Sequence, residues 1–173
     1  MAKSRRQQVW QRAGGCCEYC RMPQDQDPRP FHLDHIRAQK HGGPTAIENL
    51  ALSCAACSLF KGPNAVGYDP VTDEMQPLFN PRTQHWDDHF KWNDASLSGR
   101  TAIGRTTIRV LNINRPLRVL HRKLLIELGV FPPSSRATSP RCLANLRSTL
   151  RLPPRRSIRL TRLQFGTATG SRL

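Results

Sequence analysis

The sequence lacks any long apolar run: no stretch approaches the roughly 18 consecutive apolar residues that a membrane-spanning helix needs. Aromatic residues make up only 6% of the 173 residues, which predicts a small core that needs further support. The basic start, Met1–Arg6, leads into glutamines rather than an apolar segment, so no secretory signal is predicted. These absences favour a cytoplasmic protein without a membrane partner, in which thiols stay reduced.

Acidic residues are also scarce. The chain has 27 Lys and Arg against 12 Asp and Glu, which gives a formal net charge of +15. Such an excess predicts a polyanionic partner, either nucleic acid or an anionic membrane surface. We favour nucleic acid, because the basic C-terminal part shows no persuasive amphipathic helix.

Residues 131–173 lack Asp, Glu and Lys altogether, and they hold nine Arg and five Pro. This composition predicts a basic Arg/Pro/Ser-rich tail that is largely disordered. An alternative interpretation is out-of-frame translation after a shift near Phe131. The remaining chain divides into a module at residues 1–65 and an accessory segment at residues 66–130, whose helices are expected to pack on the module.

Turn residues and apolar spacing predict several short elements in the first 130 residues. Ser4 is a candidate helix cap, and glycines follow at positions 14 and 15. The further elements predicted are strands at Phe31–Ile36 and Leu50–Ser53, a helical turn from Ala55, a hairpin within Asp69–Phe79, a helix from about Thr101, and a helix from Pro116 to Gly129 with Leu117, Leu120, Leu124 and Leu128 at helical spacing.

Two Cys-x-x-Cys pairs are separated by 33 residues. A two-residue spacer lets both sulfurs of a turn face one ion, and two such turns complete a tetrahedral four-sulfur zinc site. Such a site is structural, because four thiolates leave no open position, and it supplies folding free energy that a small core cannot. Redox chemistry is the alternative for such pairs. The expected Zn²⁺ ligands are Cys17, Cys20, Cys54 and Cys57.

The segment between the cysteine pairs carries Asp34 next to His35, then a Gly-Gly loop and Asn49; Lys61-Gly62 follows the second pair. This order of motifs resembles the HNH endonuclease family over about residues 9–63, and similar text continues to about residue 128. The resemblance implies an α+β protein with a small zinc-stapled ββα-metal core, additional C-terminal helices and the basic tail.

The resemblance also implies a metal-dependent endonuclease that hydrolyses phosphodiester bonds in DNA. His35 is expected to be the general base, because a neutral imidazole can take a proton from the attacking water. Asp34 is expected to hold a catalytic Mg²⁺ or Mn²⁺ ion through oxygen coordination. Asn49 is expected to accept the other imidazole N–H, and Arg37 and Lys61 are expected to contact flanking phosphates.

One position departs from the family pattern. The residue after the second cysteine pair is usually Asn or His, the second protein ligand of the catalytic metal, and here it is Ser58. A serine hydroxyl is a shorter and weaker ligand, so we expect weaker metal binding. The alternative function is therefore a catalytically weak or inactive zinc-containing protein that binds nucleic acid.

Overall fold

The structure is a computed structural model that describes residues 3–132. The predicted tail therefore lies outside the described residues, apart from its first two positions. The described part is a mixed α+β arrangement with five α-helices and three antiparallel strand pairs, which confirms the predicted fold class. The elements are α1 (Arg5–Arg12), β1 (His32–His35), β2 (Leu50–Ser53), α2 (Ala55–Lys61), β3 (Val66–Tyr68), β4 (Met75–Pro77), α3 (Trp86–His89), β5 (Phe90–Asn93), β6 (Ser96–Gly99), α4 (Ala102–Val110) and α5 (Pro116–Glu127).

Local sequence signals explain where these helices begin. Ser4 and Gln7 form a capping box at the start of α1, in which each side chain bonds to the other residue's backbone N–H. The hydroxyl of Thr101 caps α4 by accepting from the N–H of Gly104 at 3.1 Å. Pro116 occupies the first turn of α5, where its missing N–H has no cost.

The strand pair β1–β2 and helix α2 follow one another as a ββα unit. In the antiparallel register, Asp34 is opposite Ala51 and His35 is opposite Leu50. Strand β2 is fully buried, and its hydrogen-bonded pairing attaches β1 to the core. The other two pairs are the hairpins β3–β4 and β5–β6. The hairpin predicted within Asp69–Phe79 contains β4, but β3 precedes that range. The second hairpin was not predicted, because β5 and β6 are four residues each and carry no clear alternation.

Buried apolar side chains from Val9 to Phe131 belong to one hydrophobic cluster. Aromatic rings continue this core from the N-terminal module into the later segment: Trp86 lies 5.1 Å from Phe90 and 5.9 Å from Trp92, measured between ring centroids. The indole Nε1 of Trp86 donates to the carbonyl of Tyr19 at 2.9 Å. The accessory segment therefore packs on the module, while a domain boundary between residues 65 and 66 stays a prediction.

Buried ion pairs join the same two parts of the chain. Glu18, between two of the cysteines, pairs with Arg82 and accepts a hydrogen bond from the backbone N–H of Leu52 at 2.8 Å. Asp27 pairs with Arg118 of α5 at 2.7 Å. Both acids are buried, and a buried charge is tolerated only with a close partner. The pairs therefore specify how the later helices meet the module.

Helix α5 is oriented differently from what its leucine spacing suggests. The four leucines at helical spacing are exposed, with Leu117 at 73% and Leu128 at 71% exposure. The buried residues of this helix are Arg118, Arg122 and Leu125. Arg122 donates to the carbonyl oxygens of Ala95 and Ile113 at 2.6 and 3.1 Å. The guanidinium groups of Arg118 and Arg122 thus face the interior, because carboxylate and carbonyl acceptors lie there.

Candidate metal centre and nuclease site

The four predicted zinc ligands meet in the core. Their sulfur atoms all lie within 4.8 Å of one another, and all four residues are buried. The Sγ atoms of Cys20 and Cys54 are 3.7 Å apart. This distance fits the edge of about 3.8 Å expected for a tetrahedron with Zn–S bonds of about 2.3 Å. The cluster is therefore suited to a structural metal such as zinc, as the spacing predicted.

The surroundings of the cluster shift the pKa values of its thiols in different directions. Burial raises the pKa of the Cys17 thiol, whereas a hydrogen bond with Cys17 lowers the pKa of Cys20. The sulfur of Cys54 accepts from the backbone N–H of Cys57 at 3.4 Å and from the guanidinium of Arg118 at 3.2 Å. Both donors place positive partial charge next to this sulfur atom.

Asp34 lies at the edge of the same unit, and its Oδ2 atom has two partners. The Nζ atom of Lys61 is 3.0 Å away, and the hydroxyl of Tyr19 is 3.3 Å away. Burial raises the pKa of Asp34 above its ordinary value, although Lys61 and Tyr19 act in the opposite direction. Both contacts are to the Oδ2 atom of the carboxylate.

The position of Lys61 disagrees with its expected contact with phosphate. The sequence placed it among the phosphate contacts, but its side chain is only 2% exposed. Its ammonium pairs with Asp34 and donates to the backbone carbonyl of His35 at 2.8 Å. Because α2 packs on β1, the last helical residue points under the Asp34-His35 strand instead of outward. Arg37, the other predicted phosphate contact, is exposed, and its guanidinium donates to the carbonyl of Gly42 at 2.8 Å.

His35 is half-buried, and its Nε2 atom is 2.9 Å from the hydroxyl oxygen of Thr45. The side-chain amide of Gln39 donates to the same oxygen at 3.1 Å. A hydroxyl oxygen has two acceptor positions, so it can accept from both side chains. The ring of His35 is thereby held against the loop between β1 and β2.

Asn49 also requires a correction, because its side chain holds the loop backbone rather than the imidazole. Its Oδ1 atom accepts from the N–H of Arg37 at 2.9 Å, and its amide donates to the carbonyls of Arg37 and Pro44, each at 2.9 Å. A side-chain atom at Gly43 would lie 1.8 Å from the Arg37 carbonyl oxygen, so only glycine fits there. Asn49 and Gly43 together close the loop that carries Thr45.

Ser58 lies in α2, half-buried, and its N–H donates to the carbonyl of Cys54 at 3.0 Å. Sequence patterns missed Tyr19, Thr45 and Arg118, which contact the candidate site residues. Tyr19 lies between Cys17 and Cys20, and this position in the sequence was a usable signal that it is buried beside the metal cluster. Thr45 and Arg118 carried no such signal, because loop closure and helix orientation bring them to the site.

A ββα unit closed by four sulfurs, with a carboxylate and an imidazole on its first strand, defines a zinc-stapled ββα-metal module. The sequence profile described as HNH endonuclease matches residues 17–62. This range begins at the first cysteine ligand and ends one residue after α2. Residues 17–62 are thus an HNH endonuclease domain, which confirms the resemblance and supports a nuclease-type function.

The chain is also similar to the Septu protein PtuB of Bacillus thuringiensis. The two are 26% identical over 113 residues, which cover 64% of this chain and 41% of the relative. The chain therefore spans about two fifths of the length of the curated relative it matches. No solved structure matches the chain. Among residues 3–132, no helix is both long and apolar enough to cross a membrane.

Proposed function

We propose that the protein is a metal-dependent endonuclease that hydrolyses phosphodiester bonds in DNA, with His35 as the general base. The observation that carries the proposal is the position of Asp34 and His35 next to each other on β1, inside the segment that the HNH endonuclease profile matches. HNH nucleases act on nucleic acids, and the chain's net charge of +15 suits a polyanionic substrate.

The contacts of His35 support a particular tautomer. We infer that Nε2 carries the proton and donates to Thr45, whose hydroxyl also accepts from Gln39. This assignment leaves the lone pair of Nδ1 to take a proton from the water that attacks phosphorus. Asn49 then acts by holding the loop in which Thr45 lies, and exposed Arg37 supplies a positive charge for a flanking phosphate.

We propose that Asp34, through Oδ1, and Ser58 hold a divalent cation, Mg²⁺ or Mn²⁺. Oxygen donors are the ligands that these ions prefer, and the carboxylate oxygen of Asp34 that is not paired with Lys61 is one such donor. When bound, the cation supplies Lewis-acid stabilisation of negative charge on the phosphate. Lys61 and Tyr19 hold the Oδ2 atom of the carboxylate, so the Asp34 side chain does not need to rotate when a cation binds.

A supercoiled plasmid incubated with Mg²⁺ or Mn²⁺ tests the proposal. We expect nicking by the parent and by His85→Ala, which alters an exposed histidine outside the module, and no nicking by His35→Ala. Cutting by His35→Ala at the parental rate would show that His35 is not the base.

The alternative, a zinc-containing protein that binds nucleic acid with little or no cleavage, rests on Ser58 in place of the usual ligand. It predicts binding with a steep salt dependence and no metal-stimulated nicking. The same plasmid, used in a gel-shift assay at several salt concentrations, separates the two functions.

A further inference from the structure

Arg118 connects helix α5 directly to the four-sulfur cluster. Its side chain is 8% exposed, and its two terminal nitrogens have different partners. One nitrogen lies 2.7 Å from the Oδ2 atom of Asp27, and the other lies 3.2 Å from the Sγ atom of Cys54. A residue 64 positions from Cys54 in the sequence therefore donates to a predicted metal ligand.

The charge of the metal site explains why such a donor matters. A Zn²⁺ ion with four thiolates carries a net charge of about −2, and all four cysteines are buried here. Burying net charge is unfavourable unless opposite charge or hydrogen-bond donors lie close to it. Arg118 supplies both, because its guanidinium is positive and its N–H is directed at a sulfur atom.

We propose that Arg118 couples helix α5 to the metal site, so that its contact with Cys54 strengthens metal binding and the bound metal holds α5 against the module. Binding linkage requires this reciprocity, because a contact that favours the metal-bound state must itself be favoured by the metal. The proposal concerns the four-sulfur cluster alone and does not depend on nuclease activity.

The geometry favours arginine over lysine in this position. A planar guanidinium can donate to a carboxylate and to a sulfur at the same time, whereas an ammonium is a point charge on a flexible chain. Asp27 fixes one side of the fork, and its Oδ1 atom also accepts from the backbone N–H of Arg29 at 3.2 Å. The carboxylate thus positions the donor, and Arg118 acts on the metal through Cys54.

Arg122 provides a matched control on the same helix. It is also buried and lies one turn further along α5, but its partners are the carbonyls of Ala95 and Ile113 and the side chain of Asn114. Arg122 also interacts electrostatically with Cys20, Cys54 and Cys57. Replacing it by Met therefore disturbs the packing of α5 and removes a nearby positive charge, but it removes no hydrogen bond to sulfur. Leu125→Ala is a second packing control, in case Arg122→Met fails to fold.

The full chain loaded with Co²⁺ gives a direct test, because sulfur-to-cobalt charge-transfer absorption responds to hydrogen bonds at the sulfur. At saturating Co²⁺, we expect this band to shift to longer wavelength in Arg118→Met, and to shift less in the packing controls. In competition with a chelator, zinc affinity should fall roughly 10-fold to 100-fold in Arg118→Met, with a smaller loss in Arg118→Lys. A cobalt spectrum of Arg118→Met identical to that of the parent, or an equal band shift in the packing controls, would overturn the proposal.

Hydrogen exchange tests the reciprocal half of the coupling. In the zinc-saturated proteins, amides of α5 should exchange faster in Arg118→Lys than in the parent, measured relative to α4 in each protein. Equal exchange of α5 in the two proteins would show that Arg118 does not hold α5 on the metal site.

Discussion

Ser58 stands where the HNH pattern usually has a longer ligand, and its hydroxyl reaches less far than an amide or an imidazole. Within α2, the same helical position can accept Asn without a change of backbone, because Ser58 is only half-buried. At the scale of single residues, Ser58 and Lys61 are the side chains that would determine how Asp34 binds the proposed cation.

We predict that Ser58→Asn raises the nicking rate and lowers the Mg²⁺ concentration needed for half of the maximal rate, because an amide oxygen reaches the cation directly. A metal titration of plasmid nicking measures both quantities, and Ser58→Ala serves as the variant without a ligand. Equal activity of the parent and the Ser58→Asn variant at subsaturating Mg²⁺ would argue against a ligand role.

We predict that Lys61→Met lowers the free energy of unfolding by about 3 kcal/mol, because it leaves the Asp34 carboxylate without its ion-pair partner in a largely buried place. Urea unfolding in saturating zinc measures the loss. The cost should be smaller in an Asp34→Asn background, where no charge remains to be compensated; the same cost in both backgrounds would contradict the ion-pair account.

At the scale of elements, helix α5 has an inner face of two arginines and Leu125 and an outer face of leucines. Hydrophobic spacing predicted that this helix exists, since apolar residues recur every three to four positions. Spacing does not say which face turns inward. The buried acceptors decide that: Asp27 on the module accepts from Arg118, and the carbonyls of Ala95 and Ile113 in the accessory segment accept from Arg122.

This arrangement predicts different costs for two substitutions on one helix. Leu120, at 55% exposure, should tolerate change to Gln within about 0.5 kcal/mol of the parental free energy of unfolding. Leu125, at 5% exposure, should lose roughly 2 to 5 kcal/mol on change to Ala. Chemical denaturation of the two variants measures the difference, and a larger loss at Leu120 would mean that the outer face is covered in solution.

At the scale of the whole molecule, the hydrophobic cluster is continuous from Val9 to Phe131, and the four cysteines are part of it. A structural metal at this place holds both the N-terminal loop and α2. Because Tyr19 also contacts Trp86 through its carbonyl and Asp34 through its hydroxyl, loss of the metal should reach the later segment and the candidate nuclease site together.

We therefore predict that removal of zinc by a chelator, or Cys54→Ser, unfolds the described part of the chain cooperatively. Tryptophan fluorescence reports on Trp10, Trp86 and Trp92, and far-ultraviolet circular dichroism reports on the helices. Both signals should change in one transition, and returning zinc to the chelated parent should restore both. Cys16→Ser, which alters a buried cysteine outside the four-sulfur cluster, is the control. Retention of the native signals without metal would show that the apolar core suffices.

The sequence by itself determined the features that depend on near neighbours or on fixed spacing. Caps and turn residues gave α1, α2, α4 and α5 within a few residues, and the two cysteine pairs predicted the metal cluster. The order of motifs predicted an HNH resemblance over about residues 9–63, and the HNH endonuclease profile matches residues 17–62 of that segment.

Only the tertiary structure decided which side chains face one another. In the tertiary structure, Lys61 is buried against Asp34 and Arg118 donates to Cys54. The ring of His35 makes its hydrogen bond with Thr45 rather than with Asn49. Each of these contacts joins residues on different elements. Their energies depend on burial and on the partner reached through packing, neither of which is encoded in local spacing.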